Sequence, residues 1–310
     1  MKKSERERRL QPQRLRYVTF GKSVVTIPSL NFCGGFAKSP SGKWAICWDS
    51  GYYSPSLGKY ILYDIRQEIA AAEGMMGRPN AGHVANNGTF SIEAWGDGTT
   101  LAGTFYVFSS SGSSLIAREF GANIVNSALS ESGQFALCQT ANSPTHHEDG
   151  NRLTAFDVGQ GVELFSVHPY TGWAHGYTFA EDVLQFGVVK NGLGTFYYDM
   201  QGNFLDAEKL QAAKLHSNDC LLVLSAAENI VTSPELNDNS AAKALEASAR
   251  ALTLVSEDDQ RSKAIALKIQ GLAYEHLGNY EAAIAAFDAA IQNDSKVGVK
   301  RKLDSLRKKY

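Results

Sequence analysis

The chain has 310 residues, enough for two modest domains. Hydrophobic residues make up 44% and charged residues 20%, a globular balance that excludes disorder throughout, and the longest apolar runs, such as CLLVL at 220–224, are too short to span a bilayer. The net charge is only −2, but residues 1–16 carry +5 and residues 296–310 carry +6, leaving −13 between them.

Residues 1–16, MKKSERERRLQPQRLR, read as a basic tail. The tail has charge but no apolar stretch behind it, which does not fit a secretory signal and predicts a cytoplasmic protein. Basic ends suit phosphates or acidic protein surfaces, and they serve equally as solvated tails lying on the acidic body. No aromatic residue interleaves with the N-terminal basic residues, so nucleic acid stays the minor alternative as a partner and membrane is excluded.

From residue 17 to about 214, short β-rich runs alternate with turn residues. RYVTFGKSVVTIP (16–28) supplies two strands that either close an edge or start a further unit. FAKSPSGKWAICW (36–48), GHVANNGTFSIEAW (82–95) and NSALSESGQFALCQ (126–139) then share one layout of strand, glycine turn and apolar strand. Their turn glycines, Gly42, Gly88 and Gly133, lie 46 and 45 residues apart, and glycine suits them because tight turns demand positive φ. A second element repeats in phase, with Asp64, Ser110, Asp157 and Asp199 placed to cap a turn. GWAHGYTFAEDVLQFGVV (172–189) supplies the first half of the fourth unit, with Glu181 and Asp182 at its turn.

These four units of roughly 45 residues, each worth about four strands, resemble the blades of a WD-repeat-like β-propeller, although the G-H and W-D dipeptides of true WD repeats do not recur. A β-sandwich or an open array is the competing fold.

From about 215 to 310 the pattern turns helical. Ser217 is placed to cap a helix over 218–231, with Asp219 in its first turn, although CLLVL alone also fits a buried strand. Pro234 breaks the chain, and Asn239 or Ser240 is expected to cap the next helix. Gly271-x-x-Tyr274 is then followed by Gly278-x-Tyr280-x-x-Ala283-x-x-x-Phe287-x-x-Ala290. That order resembles a tetratricopeptide repeat (TPR), a helix hairpin in which small residues let two helices approach closely. Gln270 and Ser295 depart from the motif, which expects an apolar residue and a proline there. ALEASARAL (244–252) aligns with AIAAFDAAI (283–291) as a degenerate upstream hairpin, Ser248 standing in place of Phe287. Residues 297–309 read as a basic capping helix with Val299, Leu303 and Leu306 inward. The predicted fold is thus an all-β domain of about four propeller-like blades (17–214) followed by a short all-α, TPR-like array (215–310).

Chemistry is sparse. FGKS (20–23) lacks the upstream glycine of a phosphate loop, and neither a G-x-S-x-G elbow nor an H-E-x-x-H pair occurs. Cys33, Cys47, Cys138 and Cys220 form no C-x-x-C pair and are expected to be buried free thiols. THHEDGNR (145–152) gathers His146, His147, Glu148 and Asp149, either metal ligands or a polar loop tip. His168, Trp173 and His175 share one aromatic segment, and Tyr52, Tyr53 and Tyr60 occupy another. Both are candidate recognition loops, with packing between blades as the alternative. The TPR resemblance implies a concave face bearing Lys268, Leu272, Glu275 and His276. The clamp for a peptide carboxylate seen in that family needs asparagine at the place of Leu272.

Two functions are consistent with this reading. One is a non-catalytic adaptor that binds another protein and carries no cofactor. The alternative is a metal-dependent hydrolase or small-ligand binder with its site in the central channel of the β-domain, where His83, His146, His147 or His175 would converge.

Overall fold

The computed structural model describes residues 14–51, 57–96 and 101–310. It has a β-rich N-terminal part of four antiparallel sheets followed by six helices. Contacts divide the chain into two compact units, one holding the strands through Leu205 apart from Asn191–Gly194, the other holding Asn191–Gly194 with Asp206–Tyr310.

The first sheet is a meander of β1 (Thr19–Phe20), β2 (Val24–Ile27), β3 (Phe32–Lys38), β4 (Trp44–Asp49), β5 (Gly58–Asp64) and β6 (Ile69–Met76). The second holds β7 (Pro79–Val84), β8 (Phe90–Trp95), β9 (Gly103–Phe108) and β10 (Ser114–Phe120). The third holds β11 (Ile124–Leu129), β12 (Phe135–Thr140), β13 (Leu153–Asp157) and β14 (Val162–Val167). The fourth holds β15 (Gly176–Ala180), β16 (Gln185–Lys190) and β17 (Gly194–Tyr198). β3 packs near β7, β7 near β11 and β11 near β15, so the sheets follow one another like blades.

Each interface between sheets is a slab of alternate side chains. Trp44, Ile46, Tyr60 and Leu62 of the first sheet meet Val84, Phe90, Ile92 and Phe108 of the second. The opposite face of the second sheet, with Phe105, Val107 and Ile116, meets Ile124, Ala136, Cys138 and Phe156.

The two N-terminal strands start no new blade. Leu15 donates its backbone N–H to the Glu68 carbonyl beside β6, and the chain then crosses to pair β2 with β3 at the other edge. On the way Leu15, Val25 and Ile27 bury Ala45, Cys47, Ile61 and Tyr63, the face of the first sheet turned away from the second. That face is sealed by the chain itself. Among the described residues the fourth sheet does not pack on the first as successive sheets do. The β-unit is therefore a propeller-like row of four sheets.

One set of turns locks the row. Gly42, Gly88 and Gly133 have φ of 68°, 87° and 79°. Their N–H groups donate to the carbonyls of Ser39, Ala85 and Ser130 at 2.8, 3.1 and 2.9 Å. Each turn also holds the next. Ser41 N–H donates to Asn86 Oδ1 at 2.8 Å, Asn86 N–H to the Glu131 carbonyl at 2.9 Å, and Ser132 Oγ to Glu181 Oε2 at 2.7 Å. The fourth turn lacks glycine and places Leu184 at φ 55°.

In the second set of turns, Asp64 accepts from the N–H groups of Arg66 and Gln67, and Asp199 from those of Gln201 and Asn203. Asp157 accepts from Gln160. In the second sheet the capping side chain is Ser109, which accepts from Ser113 N–H, rather than Ser110.

The helices are α1 (Ala207–Leu215), α2 (Cys220–Val231), α3 (Asp238–Leu254), α4 (Gln260–His276), α5 (Tyr280–Asn293) and α6 (Lys300–Lys309). α1 begins before the change of pattern at residue 215, since its short sequence carries almost no apolar face. Residues 220–231 are helix, and Asp219 rather than Ser217 is the N-cap. α3 is capped by Asn237, in a reciprocal pair with Ser240. Alanines of α3 and α4 pack on Val223, Leu224 and Ala227 of α2. Ser248 is buried and donates its hydroxyl to the Leu245 carbonyl. α4 and α5 form a hairpin turning at Gly278, φ 74°, with Asn279 as N-cap. α6 buries Val299, Leu303 and Leu306 against α5.

Two glycines give contrasting expectations. At Gly42 an added Cβ meets nothing within 4 Å, whereas at Gly133 it would lie 2.8 Å from Asn87 Oδ1 and 3.0 Å from Ala85 Cβ. Gly42→Ala should destabilise by about 1–2 kcal/mol through its left-handed backbone alone, and Gly133→Ala by clearly more. Equal losses in urea denaturation would contradict the close approach of successive turns.

In α4 a Cβ on Gly271 would lie 2.4 Å from the Phe287 ring. Gly→Ala inside a helix ordinarily stabilises by about 1 kcal/mol. Here Gly271→Ala should instead destabilise the helical unit by about 1–3 kcal/mol through overpacking, and a gain in thermal stability would refute the packing described.

Candidate functional site

Strands that alternate up and down sort their connections to two ends. The two sets of tight turns lie at one end of the β-unit. The other end receives the connection at 141–152 and the links between sheets at 77–78, 121–123 and 168–175, together with the described residues 50–51, 57, 96 and 101–102 at the ends of β4, β5, β8 and β9. Long connections on a rigid scaffold are where binding residues gather, and this loop-bearing end is the candidate site.

The connection 141–152 is fastened down. Ser143 Oγ donates to the Gly121 carbonyl at 2.8 Å, and Gly121 N–H donates to Asp149 Oδ2 at 2.7 Å. Arg118 reaches Asp149 at 2.9 Å and Glu163 at 3.2 Å, with its guanidinium 4.5 Å from the centre of the Phe120 ring. The His146 ring lies so close over Gly121 that a Cβ there would come within 2.4 Å. His146 Nδ1 is 3.0 Å from Thr145 Oγ1. Asp149 thus ties the second sheet to the third. Among the described residues no three His, Cys, Asp or Glu side chains are placed to hold a metal.

The link 168–175 is pinned by buried or part-buried amides and presents its aromatic residues outward. Gln139 accepts from Ala174 N–H at 2.9 Å and donates to the Gly172 carbonyl at 3.2 Å. Asn126 donates to the Ala174 carbonyl at 2.9 Å and accepts from the Tyr177 hydroxyl. Burial pushes the Tyr177 phenol well up. Trp173 is 47% exposed, and His175 is exposed beside it. Tyr170 stacks on Phe204 at 5.0 Å with 64% of its surface open. His168 Nδ1 lies 3.2 Å from the Asn151 carbonyl.

At the end of β8, Trp95 is 37% exposed and lines a cleft of about 540 Å³ with Tyr106, Glu119 and His146.

Tyr60 does not join this surface. It is 7% exposed and packs on Phe90 and Phe108 at 5.7 and 5.3 Å, because β5 turns it inward between the first two sheets. Tyr52 and Tyr53 lie outside the described residues.

On α4, Lys268 pairs with Glu228 at 2.7 Å, Glu275 with Lys302 at 2.6 Å, and His276 lies 3.4 Å from Asp238. Leu272 is partly buried against both helical cores. Three of these four residues therefore engage partners within the helical unit.

Cys47 and Cys138 are buried, whereas Cys33 is exposed and Cys220 half-buried, so only the first two meet the expectation of buried thiols. Burial pushes the Cys47 thiol up to about 12.

One polar group was missed by sequence reasoning. Glu93 sits in β8 at the place occupied by Cys47 and Cys138 in the neighbouring sheets, five residues past the turn glycine. It is 3% exposed and accepts from Ser127 Oγ of the third sheet at 2.6 Å. Burial raises its carboxyl above the ordinary glutamate range, against the lowering effect of that hydrogen bond. Burial likewise lowers the His83 imidazole. An acid inside the apolar run FSIEAW was the available signal.

Because the folded state holds the Glu93 proton more tightly than the unfolded chain, stability should fall as pH rises above the ordinary glutamate range. Glu93→Gln should raise the Tm at pH 8, with the gap to wild type closing near pH 4. A gap independent of pH would rule out this titration.

No protein-family model matches the chain, and no curated protein matches it. Solved structures with some likeness include the β-propeller domain of Myceliophteria thermophila Cps50 (Swd1), at 11% identity and TM-score 0.36 over 57% of this chain and 59% of that one. Another is a chain of a mitotic checkpoint complex, at 8% identity and TM-score 0.37 over 58% of this chain and 56% of that one. The chain spans less than two thirds of the length of either, and neither likeness adds to what the sheets themselves show.

Proposed function

We propose that this protein is a non-catalytic adaptor that binds another protein through the loop-bearing end of its β-unit. The observation that carries this reading is a set of exposed aromatic side chains at one end of a braced scaffold, Trp95 at the end of β8 and Tyr170 and Trp173 on the link 168–175. Exposed aromatics on backbone held by buried amides suit recognition, since little ordering is left for binding to impose. The links 77–78, 121–123 and 168–175 make that end a face shared by all four sheets.

The helical unit is a short TPR-like array. Its Gly271–Phe287 approach is the small-residue packing that such a hairpin requires. The α4 residues Lys268, Glu275 and His276 are engaged within the unit, which favours a bracing role over an independent peptide groove. Binding of nucleic acid through the basic C-terminal helix is the lesser reading.

The test is affinity purification of the tagged full chain from its native cells, with two variants alongside. Trp95→Ala combined with Trp173→Ala should lose a stoichiometric protein partner at least tenfold. Leu115→Ser combined with Val162→Ser, exposed substitutions at the tight-turn end, should retain it. Failure to capture any partner, or capture that survives the first variant and not the second, would overturn the proposal.

A further inference from the structure

The cleft beside β8 has a chemistry distinct from the rest of the loop-bearing end. Its volume of about 540 Å³ falls in the range that takes one small ligand or a few side chains. Strand register sets its geometry. Glu119 of β10 lies opposite Thr104 of β9, and Thr104 opposite Ala94 of β8, so all three share one face of the second sheet. Tyr106 is two residues along β9 on that same face, and Trp95 follows Ala94 at the strand end. Strands lie about 4.8 Å apart, which sets Glu119 roughly 10 Å across the sheet from Ala94. Gly77, where an added Cβ would meet nothing within 4 Å, also lines the cleft and leaves room for an occupant to approach the backbone, whereas Gly121 lies under the His146 ring.

Glu119 has no cation of its own among the described residues. The neighbouring Arg118 is held by Asp149 and Glu163, over the Phe120 ring, and touches Glu119 only at the backbone carbonyl. Arg78 donates to the Gly96 carbonyl at 2.9 Å, at the rim. His146 presents its ring to the same space, with Nδ1 turned to Thr145.

We propose that this cleft receives a cationic side chain, lysine or arginine, of the protein partner. The proposal rests on the adaptor reading and specifies the chemistry of the residue recognised. A carboxylate is the counter-ion for such a group, and the faces of Trp95 and Tyr106 attract a cation through their ring quadrupoles. A neutral apolar side chain in the same place would strip water from Glu119 without replacing its interactions. An acidic one would meet like charge. The body between the basic ends carries −13, which draws a basic segment from a distance.

The experiment uses the full chain labelled with 5-fluorotryptophan, whose four indoles include Trp95, the resonance being assigned with Trp95→Phe. The probe is Nα-acetyl-arginine methylamide, with the norleucine and glutamate analogues as controls. The arginine compound should shift the Trp95 resonance saturably while the buried Trp44 resonance stays in place. Glu119→Gln should weaken the titration roughly fivefold or more, and added salt should weaken it further. An unmoved Trp95 line, an equal response to norleucine, or a titration indifferent to Glu119→Gln would each overturn the proposal. Partner capture that depends on Trp173 while the arginine response is absent would sink this assignment alone. An arginine response without any captured partner would instead sink the adaptor reading and identify the cleft as a site for a free cationic ligand.

Discussion

The architecture depends on contact between successive hairpin turns. A four-stranded sheet has two apolar faces and cannot stand alone in water, so each must find a neighbour at the right distance and angle. Burial supplies the drive but little direction. Direction comes from the chain of hydrogen bonds running from Ser41 to Asn86, from Asn86 to Glu131 and from Ser132 to Glu181. These bonds form only if the turns come within van der Waals contact, and a side chain at Gly133 would hold them apart. A requirement for positive φ and a requirement for close approach thus fall on one residue.

This arrangement explains the difference between the two ends of the β-unit. At the tight-turn end the backbone is committed to holding sheet to sheet, and polar side chains cap the turns they sit in. At the other end the strands are already fixed in register, so the connections there are released from that task. Asp149 and Arg118 fasten one of them, and Gln139 and Asn126 fasten another. What these groups secure is backbone, and in the second segment the side chains of Tyr170 and Trp173 remain exposed. The seal over the first sheet follows the same economy of means. With Leu15, Val25 and Ile27 covering its outer face, the row needs no fifth sheet to bury that surface.

Much of the fold was legible because it is local. Glycine spacing found three turns, and aspartates at matched places found three of the second set, since both depend on a few consecutive residues. In the second sheet the cap is Ser109 and not Ser110, because the consecutive Ser109, Ser110 and Ser111 offer equivalent side chains and only the strand register chooses among them. Helix caps shifted for a similar reason. Asp219 displaced Ser217, two residues later, and Asn237 took the place expected of Asn239 or Ser240, two or three residues earlier. The site was less legible. Tyr60 looked like a loop aromatic in a stretch rich in tyrosine, yet it belongs to β5, and the parity of that strand points it into the core. Trp173 and His175 were found from composition, whereas Trp95, which looked like the end of a blade strand, joins them only through the topology. Contacts between sheets join residues 30 to 50 positions apart, and no local rule reads them.

Glu93 shows how the two kinds of information combine. Its repeat position is apolar in the other sheets, where Cys47 and Cys138 fill it, so an acid there conflicts with its environment. The conflict is eased by Ser127, a residue of the next sheet, while burial makes the carboxyl harder to ionise. A hydroxyl donor at Ser127 stabilises the carboxyl in either protonation state, but ionisation still places charge in a slab of Phe105, Val107 and Phe156. Replacing such a group with a hydrophobic residue of similar volume often costs nothing in stability, so what an acid supplies here is direction: a directional bond between two sheets whose other contacts are interchangeable apolar surfaces. The same logic governs the turns at one end and the amides at the other. Along the whole row, polar groups select the arrangement that apolar burial then holds in place.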